Sequence, residues 1–199
     1  VGSLVDKLEQ YGIAENTLIL ITSDNGHHAE GGNDPEFFDA NGPVRGMKRD
    51  LTDGGIRVPT VAYWPGTIPA GSISDRPAYF GDVLATVCEM SGQAVPEGRD
   101  SLSILPTLRG EDQPPAPYLY WESYEKGGKQ AIRFGKWKAV KEPWATGPIQ
   151  LYDLSQDIGE ENDLATQFPE KVQQAEQLMA EAHTPDPQWI SPTPKKKEL

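Results

Sequence analysis

Cysteine is almost missing from this chain: Cys88 is the only one in 199 residues. A lone cysteine excludes an internal disulfide framework and any metal cluster built from thiolates, and at this position it reads as a small hydrophobe packed in a helix. Long apolar runs are missing as well, so no segment of the sequence is built to span a bilayer, and no signal peptide is visible. Positive charge is scarce, with 18 lysines and arginines against 30 aspartates and glutamates for a net charge of −12. That balance disfavours nucleic acid as a partner, because a phosphate backbone demands clustered cations. The length is enough to bury a core, in one domain or two small ones. No internal repeat is evident.

What is present concentrates between Leu18 and Pro59. Leu18, Ile19, Leu20, Ile21 and Thr22 form an unbroken apolar, β-branched run, the pattern of a strand covered on both faces in a parallel sheet. Ligands in open α/β sheets bind beyond the carboxyl ends of strands, and here that place holds Ser23, Asp24, Asn25 and Gly26. A carboxylate beside a carboxamide offers hard oxygen donors, suited to Ca²⁺ or Mg²⁺ rather than to a thiophilic metal. The competing use of Asn-Gly is a hairpin turn. It is disfavoured because His27 to Asp34 contains no alternating run that could return as a strand.

Further on, Gly46-Met47-Lys48-Arg49-Asp50 precedes Gly54-Gly55 and an expected second strand from Ile56 to Trp64, with Pro59 placing it at an edge or bend. The glycines permit close backbone approach, and Lys48 can present a point charge to an anion. Arg45, Lys48, Arg49 and Arg57 gather cations locally on an acidic molecule, enough to draw an anion to one small region. Between the two site segments lies a long loop rich in Gly, Asn, Asp and Pro, which at that length is expected to serve function.

TSDNG, followed by FFDANGPVRGMKRDLTDGGIRVP and AYWPG, closely resembles the second half of the sulfatase family, the formylglycine-dependent sulfate ester hydrolases of the alkaline-phosphatase-like superfamily. RDSLSILPTLRG, YLYWE, IRFGKWKAV and LYDLSQDIGEENDLA resemble later landmarks of that family in the same order, carrying the likeness to about His183. The resemblance implies that Asp24 and Asn25 complete a calcium site, with Mg²⁺ in second place, and that Lys48 contacts the substrate sulfate. It favours His28 over His27 as a second sulfate contact, since similar proteins carry a histidine two residues after Asp-Asn-Gly. It also implies a sulfate ester substrate, a sulfated polysaccharide among the options, and a periplasmic or secreted location. There are two departures. Thr52-Asp53-Gly54-Gly55 stands where relatives usually read Tyr-Glu-Gly-Gly, and no C-x-P-S-R segment supplies the cysteine that becomes formylglycine. The expectation is therefore a C-terminal part of a longer protein, inactive in isolation, with the nucleophile upstream. Two other readings stand beside it: a phosphoryl or phosphonate hydrolase of the same superfamily, and a non-catalytic calcium- and glycan-binding relative.

The expected fold class is α/β: residues 1–110 as the C-terminal portion of an alkaline-phosphatase-like sandwich, residues 111–183 as a small antiparallel sheet with a packed helix, and residues 184–199 as a flexible tail. Leu4, Val5, Leu8 and Tyr11 recur at helical spacing before Gly12, and Tyr79, Phe80, Val83, Leu84, Val87 and Met90 predict an amphipathic helix facing the sheet. Leu102, Ile104, Leu105 and Leu108 suggest a short helical piece. Beyond Glu111 to Pro117 the chain turns to short β runs at 118–122, 130–134, 137–140 and 150–154, separated by glycine turns. Trp121 and Trp137 fit buried sheet positions, which leaves Trp144 as the aromatic candidate for a substrate contact. Pro169 opens a last amphipathic helix through Ala182.

Overall fold

The computed structural model describes residues 1–189, so most of the expected tail, residues 190–199, lies outside the described residues. The chain has an α/β fold that divides into two compact units, Val1–Asp24 with Pro59–Ala116, and Asn25–Val58 with Pro117–Leu199.

In the first unit, helix α1 (Gly2–Gln10) leads through a short 3-10 turn into strand β1 (Ile19–Ile21), which pairs antiparallel with β2 (Val61–Tyr63) in the register Ile19 to Tyr63 and Ile21 to Val61. The expected covered parallel strand is therefore half of a short antiparallel ribbon, and Ile21 stands exposed. An apolar run shows that a strand can be buried on both faces, but its partners are set by which segments reach it. The second strand is also shorter than the sequence suggests. Residues Asp53–Ile56 form one helical turn, α2, in the second unit, and Pro59, which cannot donate to a ladder, lies before the first paired residue.

Helix α3 (Asp82–Met90) presents a different face from the one its apolar spacing predicts. Phe80, Leu84 and Val87 are exposed, whereas Asp82, Ala85 and Thr86 are buried. Hydrogen bonding explains the choice. The Asp82 carboxylate accepts the Leu102 N–H at 2.9 Å, the Thr86 hydroxyl accepts the Ile104 N–H at 3.0 Å, and Ser101 accepts the Ala85 N–H at 2.9 Å. A three-residue ribbon offers little apolar area, so the helix turns to the backbone of the segment that enters α4 (Leu105–Leu108). Cys88 is half-buried in α3.

The second unit is built on a four-stranded antiparallel meander, β3 (Leu119–Ser123), β4 (Lys129–Phe134), β5 (Trp137–Lys141) and β6 (Ile149–Asp153), paired in sequence order. These runs match the four expected from the sequence. Alternation sorts their side chains onto two faces. Ile132, Phe134, Ala139, Ile149 and Leu151 point to one side and pack with Ala175 and Met179 of α5 (Pro169–Ala182). Ala131, Val140 and Tyr152 point to the other and pack with Leu51, Leu154, Ile56 and Trp121. The loop that carries Lys48 is thus laid across the back of this sheet.

That back face carries charge as well as apolar contact. Arg133, Lys138 and Tyr152 are cross-strand neighbours in one row, and two cations directly opposite each other destabilise a sheet unless compensated. Compensation comes from Asp53 and Glu160. The Lys138 ammonium, wholly buried, lies 2.5 Å from Asp53 Oδ1 and 3.0 Å from Glu160 Oε1, and the Asp53 N–H donates to Glu160 Oε2 at 2.6 Å. Burial raises the Glu160 carboxyl above its ordinary value, more than Lys138 and the Asp53 N–H lower it. Arg57 adds a longer contact to Asp53 at 3.5 Å.

Candidate functional site

Four glycines let the site backbone fold onto itself. A Cβ on Gly26 would overlap the Gly54 carbonyl, one on Gly54 would overlap the Gly46 carbonyl, and one on Gly55 would overlap the Asp50 carbonyl. Only a residue without a side chain fits at these three points. The contacts are closed by hydrogen bonds: Gly26 N–H to the Gly55 carbonyl at 2.9 Å, Gly54 N–H to the Arg45 carbonyl at 2.7 Å, and Lys48 N–H to the His27 carbonyl at 2.8 Å. The third ties the lysine directly to the chain segment that follows Asn25. Gly46 itself sits at φ +94, where an L side chain is strained.

Lys48 occupies the tip of a tight turn. Asp50 N–H donates to the Met47 carbonyl at 2.8 Å while the Asp50 carboxylate accepts the Met47 N–H at 3.0 Å. Arg49 then stands at φ +81, a conformation that turns ordinarily assign to glycine or asparagine. Such strain is characteristic of positions over-determined by their surroundings at working sites. Arg49 is held by Glu30 at 2.8 Å and Glu125 at 3.5 Å.

The turn forms one wall of a cleft of about 240 Å³ lined by Met47, Lys48, Arg49, Asp50, Glu125, Lys126 and Lys129. Four of these side chains are cationic and two are anionic. Lys129 is already divided between Asp50 at 3.1 Å and Glu142 at 3.0 Å. Burial opposes charge on both partners, but the Met47 N–H and Lys129 hold the Asp50 carboxyl below its usual range, while Glu142 and Asp50 hold the Lys129 amine above its own. Among the described residues Lys48 and Lys126 form no ion pair. The cleft therefore has two cations left to offer an anion.

The other residues singled out from the sequence fall as follows. Asp24 is exposed at the end of the first unit's opening segment, and Asn25 opens the second unit half-buried, its amide nitrogen donating to the Gly26 carbonyl at 3.0 Å. His28 Nδ1 accepts the Glu30 N–H at 2.9 Å, so the neutral ring carries its proton on Nε2 and is a donor there. His27 contributes its carbonyl to Lys48. Trp144 packs against Tyr124 and edge-on against His183, at ring separations of 5.3 and 5.1 Å. It lies beside a hub in which Glu122 accepts from the Tyr120 and Tyr124 hydroxyls at 2.6 and 2.9 Å and pairs with His183 at 2.9 Å. Thr52 and Asp53, the shorter pair at the departure from the family pattern, do not line the cleft; Asp53 faces Lys138.

An aspartate and an asparagine in succession fit part of the shell of a hard cation. Among the described residues no group of three or more His, Cys, Asp or Glu is placed to hold a metal ion. Sequence reasoning missed Lys126, Lys129, Lys138 and Glu160. The first directly precedes Gly127-Gly128, which were read only as a turn, and a buried ion pair between residues far apart in sequence leaves no local signal.

The Sulfatase family model matches residues 1–92. An arylsulfatase of Hemicentrotus pulcherrimus is 39% identical over 145 residues, covering 70% of this chain and 24% of that protein. The solved structure of Ps i-CgsB in complex with k-i-k-neocarrahexaose superposes with a TM-score of 0.77 at 29% identity, covering 90% of this chain and 39% of that one. That of BT4656 in complex with its substrate D-glucosamine-2-N,6-O-disulfate gives 0.73 at 26%, covering 90% and 36%. The chain spans between 20% and 40% of the length of the curated relatives it matches. No helix among the described residues is long and apolar enough to cross a membrane. The motif order read from the sequence, the family match and the superpositions converge: the chain belongs to the sulfatase family.

Proposed function

We propose that these residues form part of the active site of an enzyme that hydrolyses sulfate esters of saccharides. The observation that carries this reading is Lys48, unpaired among the described residues, at the strained tip of a turn on a cationic cleft, with its backbone bonded to the segment that begins at Asn25. Sulfated saccharides in the complexes of BT4656 support the substrate class.

Hydrolysis of a sulfate ester requires an approach to an anionic group and a place for the negative charge that builds on the leaving oxygen. Lys48 binds the sulfate and offsets part of that charge as it develops, which is where a fixed cation contributes most. His28 donates from Nε2 and orients the same group. Asp24 and Asn25 give two oxygen ligands to a calcium ion. When bound, that ion polarises sulfate oxygens and positions a nucleophile, by family resemblance a formylglycine supplied from outside these 199 residues.

Two results follow. In the full-length protein Asp24→Ala is expected to lower calcium content and turnover together, read by metal analysis and by release of sulfate. Full turnover in a metal-free preparation would reject the assignment. The isolated 199 residues are expected not to hydrolyse an aryl sulfate. A rate in that fragment that disappears with Lys48→Ala would show that the whole apparatus resides here.

A further inference from the structure

The cleft beside Lys48 holds more positive charge than one sulfate group uses. Of its four cations, Arg49 and Lys129 are each shared between two carboxylates. Lys48 is assigned to the ester sulfate by the reading above. Lys126 remains, lining the same cleft from the segment between β3 and β4.

Lys126 is also held in place. It adopts φ +51, a left-handed conformation that a side chain beyond glycine or asparagine rarely takes. The turn around it is pinned by Gly128 N–H to the Glu125 carbonyl at 3.0 Å and by Trp144 N–H to the Gly128 carbonyl at 2.9 Å. Among the described residues Lys126 forms no ion pair; it acts on Asp50 only at longer range, and the two acidic residues of the cleft are bonded elsewhere, Asp50 to Lys129 and Glu125 to Arg49. A cation kept available beside a sulfate-binding lysine is suited to a second anionic group on the same substrate.

We infer that Lys126 forms a second anion subsite in the cleft, and that the preferred substrate is a sulfated saccharide bearing a further anionic group, a uronate carboxylate or a second sulfate, near the reacting ester. The inference rests on the sulfatase reading and adds the substrate's charge pattern to it. Selectivity then comes from a contact made outside the reacting group, so it acts on KM.

The test compares the full-length protein and its Lys126→Asn variant on two substrates, a sugar monosulfate and the same sulfated sugar linked to a uronate. Asparagine tolerates the left-handed backbone, so the change removes the charge and keeps the turn. The preference for the uronate-bearing substrate, as a ratio of kcat/KM values, should fall roughly five- to ten-fold, mostly through KM, with a weaker dependence on salt. Lys126→Arg should keep the preference. A ratio unchanged in Lys126→Asn, while the wild type hydrolyses both esters, overturns the subsite and leaves the sulfatase reading intact. If the wild type hydrolyses neither ester and Lys48→Ala changes nothing, the functional reading falls and the subsite with it. For the second sulfate, a disulfated sugar in place of the uronate should give the same loss of preference.

Discussion

Lys138→Ala is expected to destabilise the fold by about 3–5 kcal/mol, the range for removing one partner of a buried ion pair. The ammonium is wholly buried and separates two carboxylates, Asp53 and Glu160. Without it those two groups face each other in a site with little water, and Asp53 keeps the contact to Arg57 at 3.5 Å and the more distant charge of Arg133. Urea unfolding followed by tryptophan fluorescence measures the effect, since Trp121 and Trp137 pack on the two faces of the same sheet. An unchanged midpoint would sink the claim that this lysine compensates the row. Combining Lys138→Met with Asp53→Asn and Glu160→Gln removes all three charges at once and should recover much of the loss. The pH dependence has a definite sign. Glu160 holds its proton to higher pH folded than unfolded, so its contribution falls as pH rises from its ordinary value of 4.5 through the raised one, and Glu160→Gln should flatten that slope.

Lys48→Ala is expected to lower sulfate ester turnover by roughly 10²–10³-fold in the full-length protein, the cost of deleting one group aimed at developing charge. Here stability should hardly change. Among the described residues Lys48 makes no ion pair, and its structural contact is a backbone N–H to the His27 carbonyl, which alanine retains. Lys48→Arg should rescue little, because a planar guanidinium does not replace a compact ammonium at one point. Wild-type turnover in Lys48→Ala would remove the lysine from the chemistry. The two lysines thus separate by measurement: position 138 moves the unfolding midpoint, position 48 moves the rate.

How far the sequence could be read depends on whether a residue's environment is local. The four strands of the meander and helix α5 were legible because alternation, glycine turns and helical spacing lie within a few residues of each other. Close approach at Gly46, Gly54 and Gly55 was legible too: a Cβ would meet a backbone carbonyl at Gly54 and Gly55 and the Thr52 hydroxyl at Gly46. The face of α3 was not. Its apolar spacing is genuine, but Asp82 and Thr86 are the residues buried, because the segment from Ser101 to Ile104 supplies hydrogen bonds that spacing cannot foresee. Residues Asp53–Ile56 form a helical turn that takes in Ile56, the expected first residue of the second strand, and the turn is fixed by the Glu160 carboxylate on the Asp53 N–H from far along the chain.

The order of motifs, the oxygen-bearing pair Asp24-Asn25 and the choice of Lys48 as a candidate belong to the amino-acid sequence alone, because short-range pattern and chemical type express them. Which face of the sheet receives the Lys48 loop, which lysine is buried between carboxylates and which is left unpaired on a cleft were decided only by the tertiary structure. The reason is physical. A lysine's role depends on how much water it loses and which carboxylates reach it, and both follow from residues brought together by folding.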